Sequence, residues 1–359
     1  MELTSKERIS RILKHQAVDR IGVFEHFWGD TQKSYTEKGF IKEGEILEEH
    51  FDLDLRACWP FNMVADMDFV PVILEETEDT ILTKDGNGAS LRRQKLHDAT
   101  PEHVDFSITC FDDWKKIRHF FTEFDERRID FDVYRRVKKS AGENNRFFCW
   151  CGVNAFELIH PICGHEHMLY GMAADPDWII DMADVLSDLT VKLQKTLFER
   201  EGYPDGILYY EDLGYKQTPF MSPSMYQEII MPMHKRTIDY AHLHNLPVIM
   251  HSCGFVEPLL PYMIEVGIDC LQAIEVKAGM DLLRIYEKYG DKIALMGGID
   301  VRTLYTNDKE IIDKELNEKI PVVKKGFGYV LHSDHSIPNT VDYDTFQYYL
   351  KRGRELGVY

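Results

Sequence analysis

No run of ~18 consecutive apolar residues occurs in this chain of 359 residues, so the sequence offers no candidate for a membrane-spanning helix. Clustered positive charge is also scarce. Against 42 Lys and Arg stand 61 Asp and Glu, a formal net charge of −19. Phosphate-backbone binding needs a concentrated basic surface. The densest basic group, Arg135-Arg136-Val137-Lys138-Lys139, reads as a solvated helix face, so nucleic acid is not expected as a partner. A disulfide framework is missing: the seven cysteines are odd in number and irregularly spaced, as expected for free, mostly buried thiols. There is no G-x-G-x-x-G dinucleotide fingerprint and no low-complexity linker. The amino terminus opens directly into an amphipathic pattern, without a basic-then-apolar export segment, and the expected location is cytoplasmic.

Short apolar runs alternating with helical patterns fill most of the chain. Thr4-x-x-Glu7 is a capping box ahead of Ile9, Ile12 and Leu13 on one helix face. Strand patterns cover Ile21–Glu25, Phe147–Gly152, Gly206–Tyr210, Pro247–His251, Cys270–Ile274, Ile293–Gly297 and Tyr329–His332. Residues 70–76 and 79–91 read as a hairpin turning at Asp85-Gly86-Asn87-Gly88, and residues 112–140 as charged and helical. A helix starts at Ser222-Pro223, and its interior Pro232 predicts a kink. Strand and helix in alternation imply a parallel sheet, and with about eight strands a closed (β/α)8 TIM-type barrel is favoured over a doubly wound open sheet. The expected organisation is one α/β domain over residues 1–359. Residues 1–145 form a helical and hairpin elaboration, and 146–359 carry the regular βα units.

In such a barrel, chemistry gathers at the carboxyl ends of the strands. Leu246-Pro247-Val248-Ile249-Met250-His251-Ser252-Cys253-Gly254 ends an apolar strand in His-x-Cys. Residues two apart on a strand point to the same side, which sets an imidazole beside a thiol. Glu275 and His335 stand at later strand ends, giving His251, Cys253, Glu275 and His335 as a zinc ligand set of nitrogen, sulfur and carboxylate donors. Glu211 and Asp212 follow the strand ending at Tyr210. Two adjacent carboxylates cannot both face one site on a straight strand, so one would orient its surroundings while the other acts catalytically. Glu25, His26, Trp28 and His332 are expected to line the substrate pocket. The histidine-dense segment His160–His167 reads as a loop at the substrate mouth in preference to a second metal site.

Several segments together resemble the uroporphyrinogen decarboxylase-like superfamily almost end to end: TSKERISRILKHQAVDRIGVF, EDLGYKQTPFMSPSMYQEIIMPMHKRTIDYAH, VIMHSCGFVEPLLPYMIEVGIDCLQAIEV and KIALMGGIDVRTL. The resemblance implies a distorted (β/α)8 barrel and two possible activities. Cofactor-free decarboxylases of that superfamily carry an arginine-rich segment after the first strand. Here Glu25-His26-Phe27-Trp28-Gly29-Asp30-Thr31-Gln32 has no arginine to meet substrate carboxylates. Its corrinoid-linked methyltransferases hold zinc through His-x-Cys, a late cysteine and an intervening acid. His251, Cys253 and Glu275 match, while HSDHSIPNTVDYDTF sets His335 where the late cysteine would stand.

The expected function is therefore zinc-dependent methyl transfer between a small methylated compound or thiol and a separate corrinoid protein, on a chain able to form a homodimer. A decarboxylase and a non-catalytic corrinoid- or metal-binding protein are the alternatives.

Overall fold

A computed structural model describes residues 2–359. In chain order its strands are β1 (Gly22–Val23), β2 (Leu55–Cys58), β3 (Val72–Glu76), β4 (Thr80–Lys84), β5 (Ala89–Gln94), β6 (Glu102–Phe106), β7 (Phe147–Val153), β8 (Gly206–Tyr210), β9 (Gly214–Tyr215), β10 (Thr218–Pro219), β11 (Val248–Ser252), β12 (Cys270–Ala273), β13 (Ala294–Gly297) and β14 (Tyr329–Leu331). Eight of them pair in parallel in the order β1-β14-β13-β12-β11-β8-β7-β2. The sheet curls into a nearly closed TIM-like barrel. Strands of such a barrel are covered on both faces, so they read as continuous apolar runs instead of alternating ones. Phe147–Cys151, Ile207–Tyr209 and Val248–Met250 are buried at every position.

Between β1 and β2 a single residue takes the place of a ladder. The Asp54 N–H donates to the carbonyl of Val23 (2.8 Å), and the Val23 N–H donates to the Asp54 carboxylate (2.8 Å). That carboxylate is fully buried, and it also receives Ser5 Oγ and the guanidinium groups of Arg8 and Arg20, each at 2.7 Å. Arg8 comes from the first helix, Ser5–Ile12, whose capping box forms as the sequence indicates. Asp54 precedes β2, so this knot lies at the end of the barrel opposite the strand carboxyl ends.

The elaboration is a four-stranded antiparallel sheet, β3-β4-β5-β6. Asp85–Gly88 does turn a hairpin, but it joins β4 to β5; a further strand, β3, precedes it. β2 escaped the sequence reading because Leu-Arg-Ala-Cys is short and interrupted by arginine. Pro232 sits just inside the helix Met231–Leu243, directly after a π-helical turn at Tyr226–Ile230. A wider turn relieves the contact between a proline ring and the preceding carbonyls. The segment His160–His167 is not a loop. It lies within the helix Ala155–Ala174, which breaks at Gly164. No helix among the described residues is long and apolar enough to cross a membrane.

Removing the Asp54 carboxylate would leave Arg8, only 3% exposed, short of one partner and β1 untied from β2. Asp54→Ala is expected to lower the unfolding free energy by ~3 kcal/mol or more, read from urea denaturation. An unchanged midpoint would remove Asp54 from its closing role.

Candidate functional site

β8 and β11 are neighbours in register, with His251 beside Tyr210. Two residues beyond Tyr210 and two beyond His251, the chain presents Asp212 and Cys253. His251 Nε2 lies 3.4 Å from Cys253 Sγ and 3.2 Å from Asp212 Oδ1. One donor atom from each of the three residues lies within 4.8 Å of the others. The Cys253 N–H donates to Asp212 Oδ1 (2.8 Å), which fixes the carboxylate. Gly254 follows at φ +78°. A Cβ there would lie 2.3 Å from the carbonyl carbon of Gly214, so only glycine lets the loops after β8 and β11 close on each other. Nitrogen, sulfur and carboxylate oxygen gathered in this way suit a zinc-type ion. The Asp212 side chain is 40% exposed against 10% for His251, so the group opens to solvent on the aspartate side.

A hydrogen-bond chain sets which nitrogen of His251 is free. The Ser333 carbonyl can only accept, so His332 donates to it from Nδ1 and its Nε2 is bare. His26 then donates from Nδ1 to His332 Nε2 (2.9 Å), and the Tyr210 hydroxyl donates to His26 Nε2 (2.7 Å). Gln272 must turn its NH2 toward the same bare nitrogen (3.4 Å), which presents its Oε1 to His251 Nδ1. His251 therefore donates from Nδ1 and aims Nε2 at Cys253 and Asp212. A hydrogen bond to the far ring nitrogen orients a metal-binding imidazole.

The three histidines differ in proton affinity. Burial holds His332 down to about 3. Burial, and then the charges of His332 and His251, hold His26 well below the usual imidazole value. Burial also pulls on His251, but adjacent Cys253 and Asp212 outweigh it and raise His251 well above that value.

Glu275 and His335 lie outside the three-donor group. Glu275 Oε2 accepts the Gly254 N–H (2.7 Å) and so holds the turn behind Cys253. The His335 ring lies against Trp28, centroids 5.8 Å apart. Glu211 and Asp212 face different ways. Glu211 is fully buried and accepts from Phe156 N–H (2.8 Å), Glu157 N–H (3.1 Å) and His234 Nε2 (2.6 Å), so it anchors the start of the helix Ala155–Ala174, which follows the neighbouring strand β7. Asp212 faces His251.

A cavity of about 370 Å³ opens beside this network, lined by Glu25, His26, Arg56 and Trp59 among others. The Tyr210 ring separates it from His251, stacking on the imidazole at 4.1 Å and meeting Trp59 at 4.9 Å. Trp28 and His332 are not among the lining residues; His332 is buried behind His26. Tyr210, Gln272, Arg56 and Trp59 went unnoticed in the sequence. Tyr210 ends a strand that was identified and could have been read, whereas Arg56 and Trp59 belong to the unrecognised β2 and its exit.

Glu25 lies behind His332 and is fully buried. Its Oε1 accepts the Ser333 N–H and the Tyr349 hydroxyl, both at 2.7 Å. Ser333 Oγ is 2.8 Å from Glu25 Oε2 and 2.6 Å from the His335 carbonyl oxygen. One hydroxyl hydrogen cannot serve both. The carbonyl has no proton to offer, so Oε2 carries one itself. Burial raises this carboxyl to about 8, in keeping with a neutral acid.

Comparison with known proteins gives three findings. The family model described as "Uroporphyrinogen decarboxylase (URO-D)" matches residues 122–356. The methylated-thiol–coenzyme M methyltransferase of Methanosarcina mazei is 27% identical over 155 residues, which is 42% of this chain and 38% of that protein's length. A solved structure of a methyltransferase from Methanosarcina mazei superposes with a TM-score of 0.67, covering 99% of each chain at 16% identity, a likeness of fold.

Because the folded carboxyl of Glu25 titrates near 8 and the unfolded one near 4.5, the native state holds the extra proton in between. Its contribution is complete below the unfolded value and is lost as pH rises through about 8. The unfolding free energy read from urea denaturation should therefore fall across that window by up to roughly 1.4 kcal/mol per pH unit, and Glu25→Gln should flatten the fall. Equal pH slopes in both proteins would contradict a neutral Glu25.

Proposed function

The chain belongs to the uroporphyrinogen decarboxylase (URO-D) family, and from that premise we propose that it is a methyltransferase moving a methyl group between a small thiol or methylated compound and a corrinoid protein, with zinc held by His251, Cys253 and Asp212. The observation that carries this reading is the convergence of one nitrogen, one sulfur and one carboxylate oxygen within 4.8 Å at the barrel mouth. The Methanosarcina mazei relative is named for transfer between a methylated thiol and coenzyme M, so a thiol is the favoured small partner. When bound, zinc would supply Lewis acidity that keeps a thiol deprotonated near neutral pH.

The chain's own residues do the rest. Gln272 holds the His251 Nδ1–H, so Nε2 stays directed at the ligand group. Loading the site requires His251 to release its Nε2 proton and Cys253 its thiol proton, so affinity falls as pH falls. Asp212, fixed by the Cys253 N–H, supplies a second anionic donor. Trp59 and Tyr210 present apolar faces beside the cavity, which suits a methyl group. The partly exposed side of Asp212 is the direction from which a corrinoid protein would approach.

Arg56 is the observation that favours the decarboxylase alternative, since it is the Lys or Arg among the described residues lining the cavity. Its guanidinium already pairs with Glu48 at 2.7 Å. A substrate with several carboxylates needs several cationic partners, and this lining does not supply them.

Metal analysis and a methyl-transfer assay test the proposal. Zinc near one equivalent should be lost in Cys253→Ser. Demethylation of methylcobalamin by 2-mercaptoethanesulfonate should fall by more than the ~100-fold typical of outer-shell changes. Folded wild-type protein that neither retains metal at this group nor transfers methyl would overturn the proposal, and turnover of a porphyrinogen would establish the alternative.

A further inference from the structure

A second cluster of ligand-type side chains lies away from His251. His103 comes from β6 of the antiparallel sheet, while His160 and His165 come from the helix after β7. In an unbroken α-helix, residues five apart lie ~140° apart around the axis and face different ways. The break at Gly164 (φ +77°, ψ 155°) removes that separation. The rings of His160 and His165 stack with centroids 4.1 Å apart, and His103 lies 5.6 Å from each. One ring nitrogen from each of the three lies within 4.8 Å of the other two.

Two further observations point to a cation rather than to packing alone. Glu157 Oε2 lies 3.0 Å from His160 Nε2, so that nitrogen donates to the carboxylate and Nδ1 is left with a bare lone pair. Nδ1 is buried and has no hydrogen-bond partner. A stack of imidazoles leaves that desolvation uncompensated, and a phenylalanine would pack there without the cost. Carboxylate, imidazole and metal in line is the recurring way such a lone pair is used. Phe106, Phe156 and Phe220 pack around the cluster.

We infer that His103, His160 through Nδ1, and His165 form a second metal site, for a divalent first-row ion such as zinc, which clamps the antiparallel sheet to the first regular βα unit of the barrel. Three imidazoles and no anionic ligand suit zinc, cobalt, nickel or copper and disfavour magnesium or calcium. Water would complete the coordination.

Cys253→Ser protein stripped with a chelator isolates this site from the first. Titrated with Co2+ and then Zn2+, it should take up about one ion per chain, develop visible d–d absorption, and melt at a higher temperature with the ion than without. His103→Asn and His165→Asn, each added singly, should abolish the uptake and the thermal shift, and Glu157→Gln should weaken binding by ~10–100-fold. His103 lies on an outer strand, so its variant should retain the fold, checked by circular dichroism and the metal-free melting point. No uptake by the Cys253→Ser protein, or uptake unaffected by both histidine changes, would overturn the inference. Because the first group is disabled throughout, failure of the methyltransferase proposal would register only in the wild-type comparison.

Discussion

A carbonyl oxygen can accept a hydrogen bond and never donate one, and at the mouth of this barrel that rule propagates a long way. The Ser333 carbonyl fixes His332, His332 fixes His26 and Gln272, and Gln272 fixes His251. Each of these groups is buried or nearly so, and an unpaired buried polar group is costly, so the chain has few self-consistent ways to place its protons. The outcome separates residues of one type. His332 is held to about 3, while His251, five ångströms or less from Tyr210 and flanked by Cys253 and Asp212, gains proton affinity. What differs between them is the sign of the nearest charge: imidazoles and amides around one, a thiol and a carboxylate around the other.

The two ends of the barrel use buried carboxylates in different ways. Asp54, at the lower end, is saturated by two guanidinium groups, a hydroxyl and a backbone N–H, and it joins strands that do not pair. Glu211, at the upper end, is saturated by two helix N–H groups and His234. Asp212 alone of the three keeps an exposed face, and its neighbours leave donor capacity unused. Satisfied carboxylates hold structure, and the incompletely satisfied one is available for a ligand. Sequence adjacency made Glu211 and Asp212 look alike; the change of direction after β8 makes them different.

How much of this the sequence disclosed depends on periodicity. β7, β8 and β11 were legible because strands covered on both faces must be apolar throughout. The His251 and Cys253 pairing was legible because residues two apart on a strand share a side. β2 was not, since Arg56 breaks a four-residue pattern. Gln272 was invisible because its importance comes from register: it pairs with His251 across β11 and β12, and only the folded sheet reveals that. Asp212 was noticed, but as a catalytic group. Its nearness to Cys253 depends on Gly214 and Gly254 touching, a contact between loops 40 residues apart. The histidine-dense segment reads as a loop because it follows a strand and precedes a helical pattern, and Pro161 and Gly164 inside it are weak helix formers that hide the helix from sequence alone.

The same two residues that obscured the helix give it chemical interest. A helix with Pro161 and Gly164 pays little further cost for a break, and the break turns His165 back beside His160. The two groups of donors then differ in a way that bears on any ion they hold. His251, Cys253 and Asp212 offer two anionic donors, enough to balance a dication, with one side open to solvent. His103, His160 and His165 offer none, so a dication there would keep its charge and depend on Glu157 and on the negative excess of the whole chain for balance. Charge balance therefore argues that the first group binds more tightly and the second more selectively for ions that favour nitrogen, although both are built from strands and helices that meet at one end of one barrel.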